Sequence, residues 1–519
     1  MWLKWSGCMG VIIFFLSILG ACKDEVIIKE VVIPGTDTTE AAISNSWILN
    51  SLQDVSTYAD APPANEATVW LARNESEHFQ IVLHTTGDCP VYPEKNRTNE
   101  NTKYTLRRIA PFRGIYDILI PVDSIIYPEN KEIRLWVTYQ TKPDSKPGLY
   151  EDTLYFRSMK QVYPVYVHIN VKDVSLPVQP SFPAVFGIDP DNLPMAKGIP
   201  EESKIMIRKE VSDLLLNYRI SPYFCSWISA TNRIEVNSSP FPPGDARMLD
   251  YLKDPRFNLI ALPYRRLTDT QLRTTLEEMR NSGLIEKCYF YFTDEVHNIA
   301  GYNEIKTIAS KIHGYAPEAK ILITFSQGPD DQSQQADYMQ VFDILQGYVD
   351  IFCTGVPVMK NQEGVAAQIR AKLQNNEEWW TYVCLNNVPG MTFKSSSVAT
   401  RAVMWRSWKE QADGSLFWVV NAFQTFSPLT QQYSLPPGDG ILVYPGDPVN
   451  SPVSCVSIRL ERWRDGAEDY EMLRMIEEKN GREQAVSLLN TVYQSPLLYT
   501  DIPEDVIEFK KAILELLSQ

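Results

Sequence analysis

Two adjacent carboxylates end an apolar, aromatic segment in the middle of the chain. The run Tyr289–Phe292 is followed by Thr293, Asp294 and Glu295. Such a run is typical of a buried strand, and barrel enzymes carry their reactive groups at the C-terminal ends of strands. An acid beside an anionic neighbour and apolar rings has a raised pKa, as a general acid for glycosidic bonds requires. Acidic residues also end strands for purely structural reasons, and the spacing alone leaves that reading open.

A glycosidase commonly uses a second carboxylate across the sugar ring, about 5–5.5 Å away in retaining enzymes and farther in inverting ones. The other predicted strand ends and the last rim segment offer Asp189, Asp439 and Asp447. Adjacent residues can hardly straddle one ring, so Asp294 and Glu295 would act together with a nucleophile from the substrate. The carbonyl oxygen of a 2-acetamido sugar supplies one by forming an oxazoline. Glu295 would then protonate the leaving oxygen, and Asp294 would orient the acetamido N–H.

Aromatic and amide residues near the predicted strand ends are candidates for substrate binding. Trp and Tyr rings can stack on the apolar face of a sugar, although they can equally cap a core. The candidates are Trp227, Tyr264, Tyr291, Trp418, Asn421 and Tyr444. The oxazoline mechanism requires no metal or organic cofactor, and five scattered His make a multi-His metal centre improbable. The sequence has no GxSxG, HExxH or SxxK motif that would indicate another class of hydrolase.

The elements that must position these residues change in character along the chain. Residues 41–178 consist of short alternating apolar runs separated by turn residues, which predicts an N-terminal β-sandwich. In residues 181–452, eight continuous apolar runs alternate with helical patterns, which predicts a (β/α)₈ TIM-like barrel, with a doubly wound open sheet as the alternative. Residues 453–519 are predicted to form a helical C-terminal extension packed on the barrel.

The first 22 residues have the features of an export signal. Lys4 precedes an apolar stretch that ends in Leu19-Gly20-Ala21-Cys22, which resembles the lipobox of bacterial lipoproteins. The resemblance implies a lipid on Cys22, a tether over residues 23–40, and an exported lipoprotein at the outer membrane, exposed on the cell surface. A plain secretory signal is the alternative. The six other cysteines of the mature chain lack metal or disulfide spacing and are expected to be buried free thiols.

Length and charge limit the classes of partner. With 519 residues, the chain is long enough for two to four domains, and its apolar content of 44% is that of a globular protein. Its formal net charge of −15 argues against nucleic acid, because phosphate binding needs clustered Lys and Arg. The expected partner is therefore a glycan or glycolipid substrate, with membrane contact through the lipid anchor only.

Three segments together resemble glycoside hydrolase family 123, the substrate-assisted β-N-acetylgalactosaminidases. The first comprises Leu71-Ala72-Arg73-Asn74-Glu75 with Phe79-Gln80; the second is Tyr291-Phe292-Thr293-Asp294-Glu295; the third is Ser457-Ile458-Arg459-Leu460-Glu461, continuing to Arg464-Asp465-Gly466 and Glu468-Asp469-Tyr470-Glu471. Leu442-Val443-Tyr444-Pro445-Gly446 is similar to the rim segment of the family. The resemblance implies that Asp294 stabilises the oxazoline and that Glu295 is the acid/base. Val296-His297 stands where proline often follows the pair, and this departure bears on substrate identity more than on catalysis.

The expected function is retaining, exo-acting hydrolysis of terminal β-linked N-acetylhexosamine, preferably N-acetylgalactosamine. One alternative is a glycosidase of other specificity in which Asp189 or Asp447 partners Glu295. The other is a glycan-binding surface lipoprotein without turnover. Within the third segment, Arg459 and Asp465 are expected to pair structurally rather than to contact substrate.

Overall fold

The computed structural model describes residues 42–88, 90–94, 100–122, 124–159, 161–195, 198–228, 232–330, 337–355, 364–374, 376–385, 388–423 and 436–519. The predicted signal, the tether, Cys22 and Cys89 lie outside these residues. The described chain is a mixed β and helical protein with two N-terminal sheets, a nearly closed barrel-like sheet and a helical C-terminal region.

The N-terminal region contains nine strands in two sheets. Their bounds are β1 Ile43–Asn50, β2 Glu66–Arg73, β3 Ser76–Thr85, β4 Tyr92–Glu94, β5 Thr102–Phe112, β6 Ile115–Pro121, β7 Glu132–Thr141, β8 Gly148–Arg157 and β9 Val162–Ser175. One sheet has the order β2-β9-β8-β4, and β1-β3-β7-β5-β6 belong to the other. Alternate side chains of both sheets share one apolar core, which includes Ile81 and Val137 on one side and Leu154 and Ile169 on the other.

Nine strands form the barrel-like sheet. They are β10 Ala184–Ile188, β11 Ser221–Trp227, β12 Ile234–Asn237, β13 Ile260–Ala261, β14 Cys288–Phe290, β15 Lys320–Phe325, β16 Ile351–Gly355, β17 Glu378–Tyr382 and β18 Gly414–Phe417. Their order is β12-β11-β10-β18-β17-β16-β15-β14-β13. Every ladder is parallel except that between β11 and β12.

The eight-stranded (β/α)₈ prediction is therefore met only in part. The eight expected strands are present and parallel, but β12 is inserted next to β11, and no continuous ladder joins β12 to β13 within the described chain. Single hydrogen bonds cross this gap, from Ser238 N to Ala261 O at 3.0 Å and from Ile234 N to Phe292 O at 3.3 Å. The sheet is thus nearly closed rather than a regular barrel.

Within the described part of the barrel region, seven helices accompany the strands. They are α1 Glu201–Leu216, α2 Arg247–Leu252, α3 Asp269–Asn281, α4 Ile299–Tyr315, α5 Met339–Leu345, α6 Val365–Lys372 and α7 Ser397–Glu410. Local signals fix their starts; α3, for example, begins at a capping box in which Thr268 and Gln271 bond reciprocally. Apolar side chains between the strands and helices form an outer core, while Tyr223, Tyr289, Leu322 and Trp380 fill the barrel interior.

The C-terminal region returns to the N-terminal sheet. Its elements are β19 Val443–Tyr444, β20 Cys455–Ser457, α8 Ile458–Asn480, α9 Arg482–Leu489, β21 Tyr493–Ser495, β22 Leu498–Tyr499 and α10 Pro503–Ser518. Short 3₁₀ helices occur at Val55–Asp60, Pro190–Asn192, Ile285–Lys287 and Asp447–Val449. Strand β20 pairs with β6, so β20 and β19 extend the N-terminal sheet β1-β3-β7-β5-β6 to seven strands.

Helix α8 buries charged side chains in ion pairs. The carboxylate of Glu461 is fully buried and accepts hydrogen bonds from Arg107, Tyr218 and Arg464. Burial alone would raise the pKa of Glu461, but the attraction of Arg107 and Arg464 outweighs it and holds the pKa well below its usual range. Glu461 is therefore ionised and joins β5, α1 and α8.

The expected pairing of Arg459 with Asp465 is wrong. Arg459 forms a bidentate pair with Asp117 of β6, with Nη2 2.9 Å from Oδ2. Asp465 instead lies 3.0 Å from His78 Nε2 and 3.7 Å from Arg401. Both residues are structural, but each pairs with another part of the chain because opposite helix faces meet different neighbours.

The described cysteines 225, 288, 353, 384 and 455 are free thiols, and all but Cys384 are buried, as expected. Among the helices that the structure describes, none is both long and apolar enough to span a membrane.

Removing the charge of Glu461 is expected to destabilise the fold. Glu461→Gln leaves Arg107 and Arg464 without a buried counter-charge, which lowers the free energy of unfolding by about 3–5 kcal/mol. Because the folded pKa of Glu461 is depressed, its contribution is complete above the unfolded value of about 4.3 and is lost as the pH falls further. Urea unfolding at pH 7 and at acid pH measures both effects.

Glu477→Gln is the matched control on the same helix. Glu477 is partly exposed and pairs with Arg482 at 3.1 Å, so its loss should cost less than about 1 kcal/mol. Equal destabilisation by the two variants would contradict the role given to Glu461.

Candidate active site

The two adjacent carboxylates lie beyond the C-terminal end of β14, where the backbone is held from the side. Asp294 N donates to Asn232 O at 2.7 Å, and Asn232 Nδ2 donates to Glu295 O at 3.0 Å. Thr293 also bridges to Arg233 just before β12. The segment ahead of β12 therefore fixes where the acidic pair leaves the sheet.

Glu295 has a strained backbone. Its φ is 44°, in the left-handed region that non-glycine residues rarely adopt. Its N–H donates to Thr324 Oγ1 on β15 at 3.1 Å. Its Oε1 accepts a hydrogen bond from the hydroxyl of Tyr382 at the end of β17. These contacts hold the carboxylate in one orientation despite the strain.

Asp294 is bonded through one oxygen only. Its Oδ1 accepts from Tyr291 Oη at 2.6 Å and from Thr324 Oγ1 at 2.7 Å. No described residue donates to its Oδ2. Burial raises the pKa of Asp294, the two hydroxyl donors oppose this, and the charge of Glu295 adds to the increase. The carboxylate is thus oriented by protein and keeps one oxygen for another donor.

The position of Tyr382 depends on a glycine. Tyr382 is 5% exposed and lies opposite Gly355 in the β16–β17 ladder. A Cβ on Gly355 would stand 2.3 Å from Tyr382 Oη and 2.5 Å from its Cζ. Only glycine at 355 lets the tyrosine reach Glu295.

Asp439 on the rim faces the same end of the barrel. Burial raises the pKa of the Cys384 thiol, and the charges of Asp439 and Glu295 add to this. Asp439 Oδ2 accepts from Leu385 N at 2.7 Å, and Oδ1 accepts from Trp418 Nε1 at 3.5 Å. Through these two contacts, Asp439 holds Leu385 and Trp418 in place on the rim.

The other acidic candidates are placed less favourably. Asp189 ends β10, but its Oδ1 accepts from Asp191 N at 2.9 Å, so it caps the short helix Pro190–Asn192. Asp447 is exposed after β19, on the edge of the seven-stranded sheet. Neither arrangement is that of a free carboxylate aimed across a sugar from Glu295.

Three predicted substrate-binding residues remain at the C-terminal end of the barrel strands. Trp227, at the end of β11, is 49% exposed and offers an open indole face. Trp418 follows β18 on the rim and donates to Asp439. Tyr291 lies in the barrel interior, where its hydroxyl orients Asp294. Trp227 is the best placed of the three for stacking on a sugar.

The structure does not bring the other three to the site. The ring of Tyr264 packs outward on Phe292, with centroids 5.5 Å apart. Asn421 is buried and bonds the backbone of Asp189 through both amide atoms, so its side chain joins the ends of two strands. Tyr444 is 0% exposed and donates to Asp117 at 2.5 Å. Assigning Tyr264, Asn421 and Tyr444 to substrate binding is therefore corrected: strand-end position in the sequence did not reveal which way each side chain points.

Sequence reasoning missed Asn232, Thr324, Tyr382 and Gly355. A weak signal exists for Thr324, a polar residue inside the apolar run Lys320–Phe325. Tyr382 and Gly355 end their strands, but nothing local shows that one fits against the other.

The comparison with known proteins gives a match to a family model. Residues 231–476 match the family model described as glycoside hydrolase 123, catalytic domain. No curated protein is significantly similar in sequence. A family 123 glycoside hydrolase from Clostridium perfringens, solved to detail glycolipid glycan hydrolysis, is 14% identical with a TM-score of 0.61, over 91% of this chain and 97% of that one. At this identity the likeness shows a shared fold.

Two Bacteroides structures are more distant. A β-glucuronidase from Bacteroides uniformis is 10% identical with a TM-score of 0.30, over 78% of this chain and 49% of that one. A putative α-galactosidase from Bacteroides fragilis is 10% identical with a TM-score of 0.25, over 71% and 74%. These likenesses are too weak to inform the site.

Adding one methyl group at Gly355 should displace Tyr382. Gly355→Ala is expected to break the hydrogen bond to Glu295 and to lower the free energy of unfolding by about 1–3 kcal/mol, because it overpacks the barrel. Gly314→Ala is the control, since a Cβ there meets open space. It should leave stability unchanged or slightly higher. Urea unfolding and a crystal structure of Gly355→Ala check both points; a bond retained at normal length would contradict them.

Proposed function

We propose that this chain, which carries the glycoside hydrolase 123 catalytic domain and is a glycoside hydrolase, releases terminal β-linked N-acetylhexosamine from glycans or glycolipids with retention. N-acetylgalactosamine is the preferred sugar in this proposal. One observation carries it: among the described residues, donors reach only Oδ1 of Asp294, and the neighbouring Glu295 is fixed separately by Tyr382. The likeness in fold to the Clostridium perfringens enzyme, which acts in glycolipid glycan hydrolysis, supports the substrate class.

In the first step, the acetamido carbonyl oxygen attacks the anomeric carbon while the bond to the leaving oxygen breaks. Asp294 Oδ2 accepts the acetamido N–H, which makes the carbonyl oxygen more nucleophilic and stabilises the positive charge of the oxazolinium ion. Glu295 gives its proton to the leaving oxygen. The protein supplies no nucleophile, so one adjacent pair is sufficient.

In the second step, water opens the oxazoline. Glu295, now ionised, takes a proton from the water as it attacks the anomeric carbon, and the acetamido group is restored. Each step inverts the anomeric centre, so the product retains the β configuration. The capped Asp189 and the exposed Asp447 give less support to a mechanism with two carboxylates facing each other.

Export and lipidation at Cys22 belong to the same proposal. They are supported by the sequence Leu19-Gly20-Ala21-Cys22. An enzyme anchored at the outer membrane and exposed at the cell surface would meet its glycans outside the cell.

The two carboxylates should respond differently to the leaving group. Glu295→Gln is expected to lower kcat/KM on a nitrophenyl β-N-acetylgalactosaminide by about 10²–10⁴-fold, but to lose much less on a dinitrophenyl glycoside, whose leaving group needs little protonation. Asp294→Asn should lose activity on both, because oxazoline formation fails with either leaving group. Initial rates with both substrates measure this difference.

Glu304→Gln, a change at a partly exposed carboxylate that pairs with Arg233 and Arg265, is the control and should keep the wild-type rate. If wild type cleaves only glycosides without an acetamido group, a second carboxylate is required instead. If it cleaves no glycoside with either kind of sugar, the hydrolytic proposal fails.

The hydroxyl of Tyr291 should set the acid limb of the pH profile. Burial raises the pKa of Asp294, and the hydrogen bond from Tyr291 opposes this by favouring the charged form. Tyr291→Phe removes that donor, so the pKa of Asp294 rises and the acid limb of kcat/KM moves to higher pH.

Tyr289→Phe is a matched control. Tyr289 is a fully buried tyrosine of the same interior cluster, and its hydroxyl has no hydrogen-bond partner in the described chain. The Tyr289→Phe variant should leave the acid limb of kcat/KM at its wild-type position. Identical profiles for wild type and Tyr291→Phe would exclude ionised Asp294 as the group behind the acid limb.

A further inference from the structure

A cleft of about 840 Å³ separates the N-terminal sheets from the barrel. One wall contains Lys103 and Tyr104 of β5. The other contains Arg219, in the connection from α1 to β11, and Arg256, in the connection that precedes β13. These connections enter the amino ends of parallel strands, so the cleft lies at the opposite end of the barrel strands from Asp294.

The cleft is positively charged although the chain carries a net charge of −15. Four cations of its lining have acidic partners: Arg107 and Arg464 pair with Glu461, Arg219 lies 3.6 Å from Glu468, and Arg256 lies 2.6 Å from Asp254. The other two cations are Lys103 and Lys142, and the acids of the lining are Glu75, Glu94 and Glu468. Lys103 and Lys142 are exposed, and no described residue forms an ion pair with either.

The three acids of the lining do not cancel this charge. Glu75 is buried against Lys510, and Glu94 is bonded to Arg157 at 2.7 Å. Glu468 is buried and lies 3.6 Å from Arg219, so these two charges of the lining offset each other. A positive field therefore remains over the open part of the cleft.

The walls also carry groups that suit a sugar. Tyr104 is half-buried, with its ring in the lining, and Gln140 and Thr105 add polar atoms. The volume falls in the range of sites that take small or oligomeric ligands, and a ring beside cations fits a saccharide that bears anionic groups. We propose that this cleft binds an anionic saccharide chain, whose carboxylate or sulfate groups pair with Lys103 and Lys142.

Binding is tested by calorimetry on the full mature chain at low salt. The probe is a hexamer of galacturonic acid, and a hexamer of glucose serves as the neutral ligand. The acidic hexamer should bind, with an affinity that falls as salt is added, and the neutral one should not. No binding of the acidic hexamer, or equal binding of both, would overturn the proposal.

The variant Lys103→Glu with Lys142→Glu should weaken binding at least tenfold. Its control is Lys131→Glu with Lys253→Glu, which changes the net charge equally at exposed lysines outside the cleft lining. An equal loss of hexamer binding in the two double variants would show that the hexamer is attracted by the net charge of the protein and not by this cleft. Tyr104→Ala, which leaves every charge in place, should also weaken binding if the sugar ring contacts the cleft.

The cleft and the active site can be told apart. Glu295→Gln should bind the acidic hexamer like wild type, and the Lys103 and Lys142 double variant should hydrolyse the aryl glycoside like wild type. If the hydrolytic proposal is wrong, binding of the acidic hexamer to the cleft is still expected. Loss of binding in Glu295→Gln would assign the hexamer to the active site and overturn the second site.

Discussion

The burial of charge along helix α8 is the constraint on which the arrangement of the whole chain depends. Fifteen of its 23 residues are buried, and several of these are ionised. A buried charge without a partner costs several kcal/mol, so α8 can dock only where each charge meets its counterpart. Glu461 meets Arg107 of the N-terminal sheet, and Asp469 meets Arg401 of α7 through two hydrogen bonds of 2.6 and 2.8 Å. The helix therefore sets the register between the N-terminal sheet and the barrel.

The same network reaches the reactive end of the barrel. Arg459 pairs with Asp117 and also donates to Gly438 O at 2.6 Å. The next residue, Asp439, accepts a hydrogen bond from Leu385 N, three residues after strand β17, which ends at Tyr382. A chain of short contacts thus runs from the sheet interface to the groups around Glu295. Rigid support of this kind keeps catalytic geometry within the narrow limits that proton transfer requires.

Sequence patterns predicted the parts of the fold that local physics determines. Continuous apolar runs identified the eight parallel strands. Strand β12 was missed because Ile234–Asn237 is short and half polar. The return of β20 to β6 was not readable either, since it joins residues more than 300 positions apart. At the site, the reactive pair was visible as a strand-end signal, whereas Tyr382 could not be, because its role arises from packing against another strand.

Adjacent carboxylates would be a poor catalytic pair if they shared one environment, because each disfavours ionisation of the other. Here the protein gives the two carboxylates different hydrogen-bond donors. Tyr291 and Thr324 donate only to Asp294, on the side facing the barrel interior, while Tyr382 donates only to Glu295. In the proposed mechanism the two groups take different roles, with Asp294 accepting the acetamido N–H and Glu295 transferring a proton to the leaving oxygen. No described residue donates to Asp294 Oδ2, and in the proposed mechanism the acetamido N–H of the substrate donates to this oxygen. A sugar with only a 2-hydroxyl could also donate there, but it would bring no carbonyl oxygen to attack the anomeric carbon. In the proposed mechanism, Asp294 Oδ2 thus both binds the acetamido N–H and promotes attack by the acetamido carbonyl oxygen.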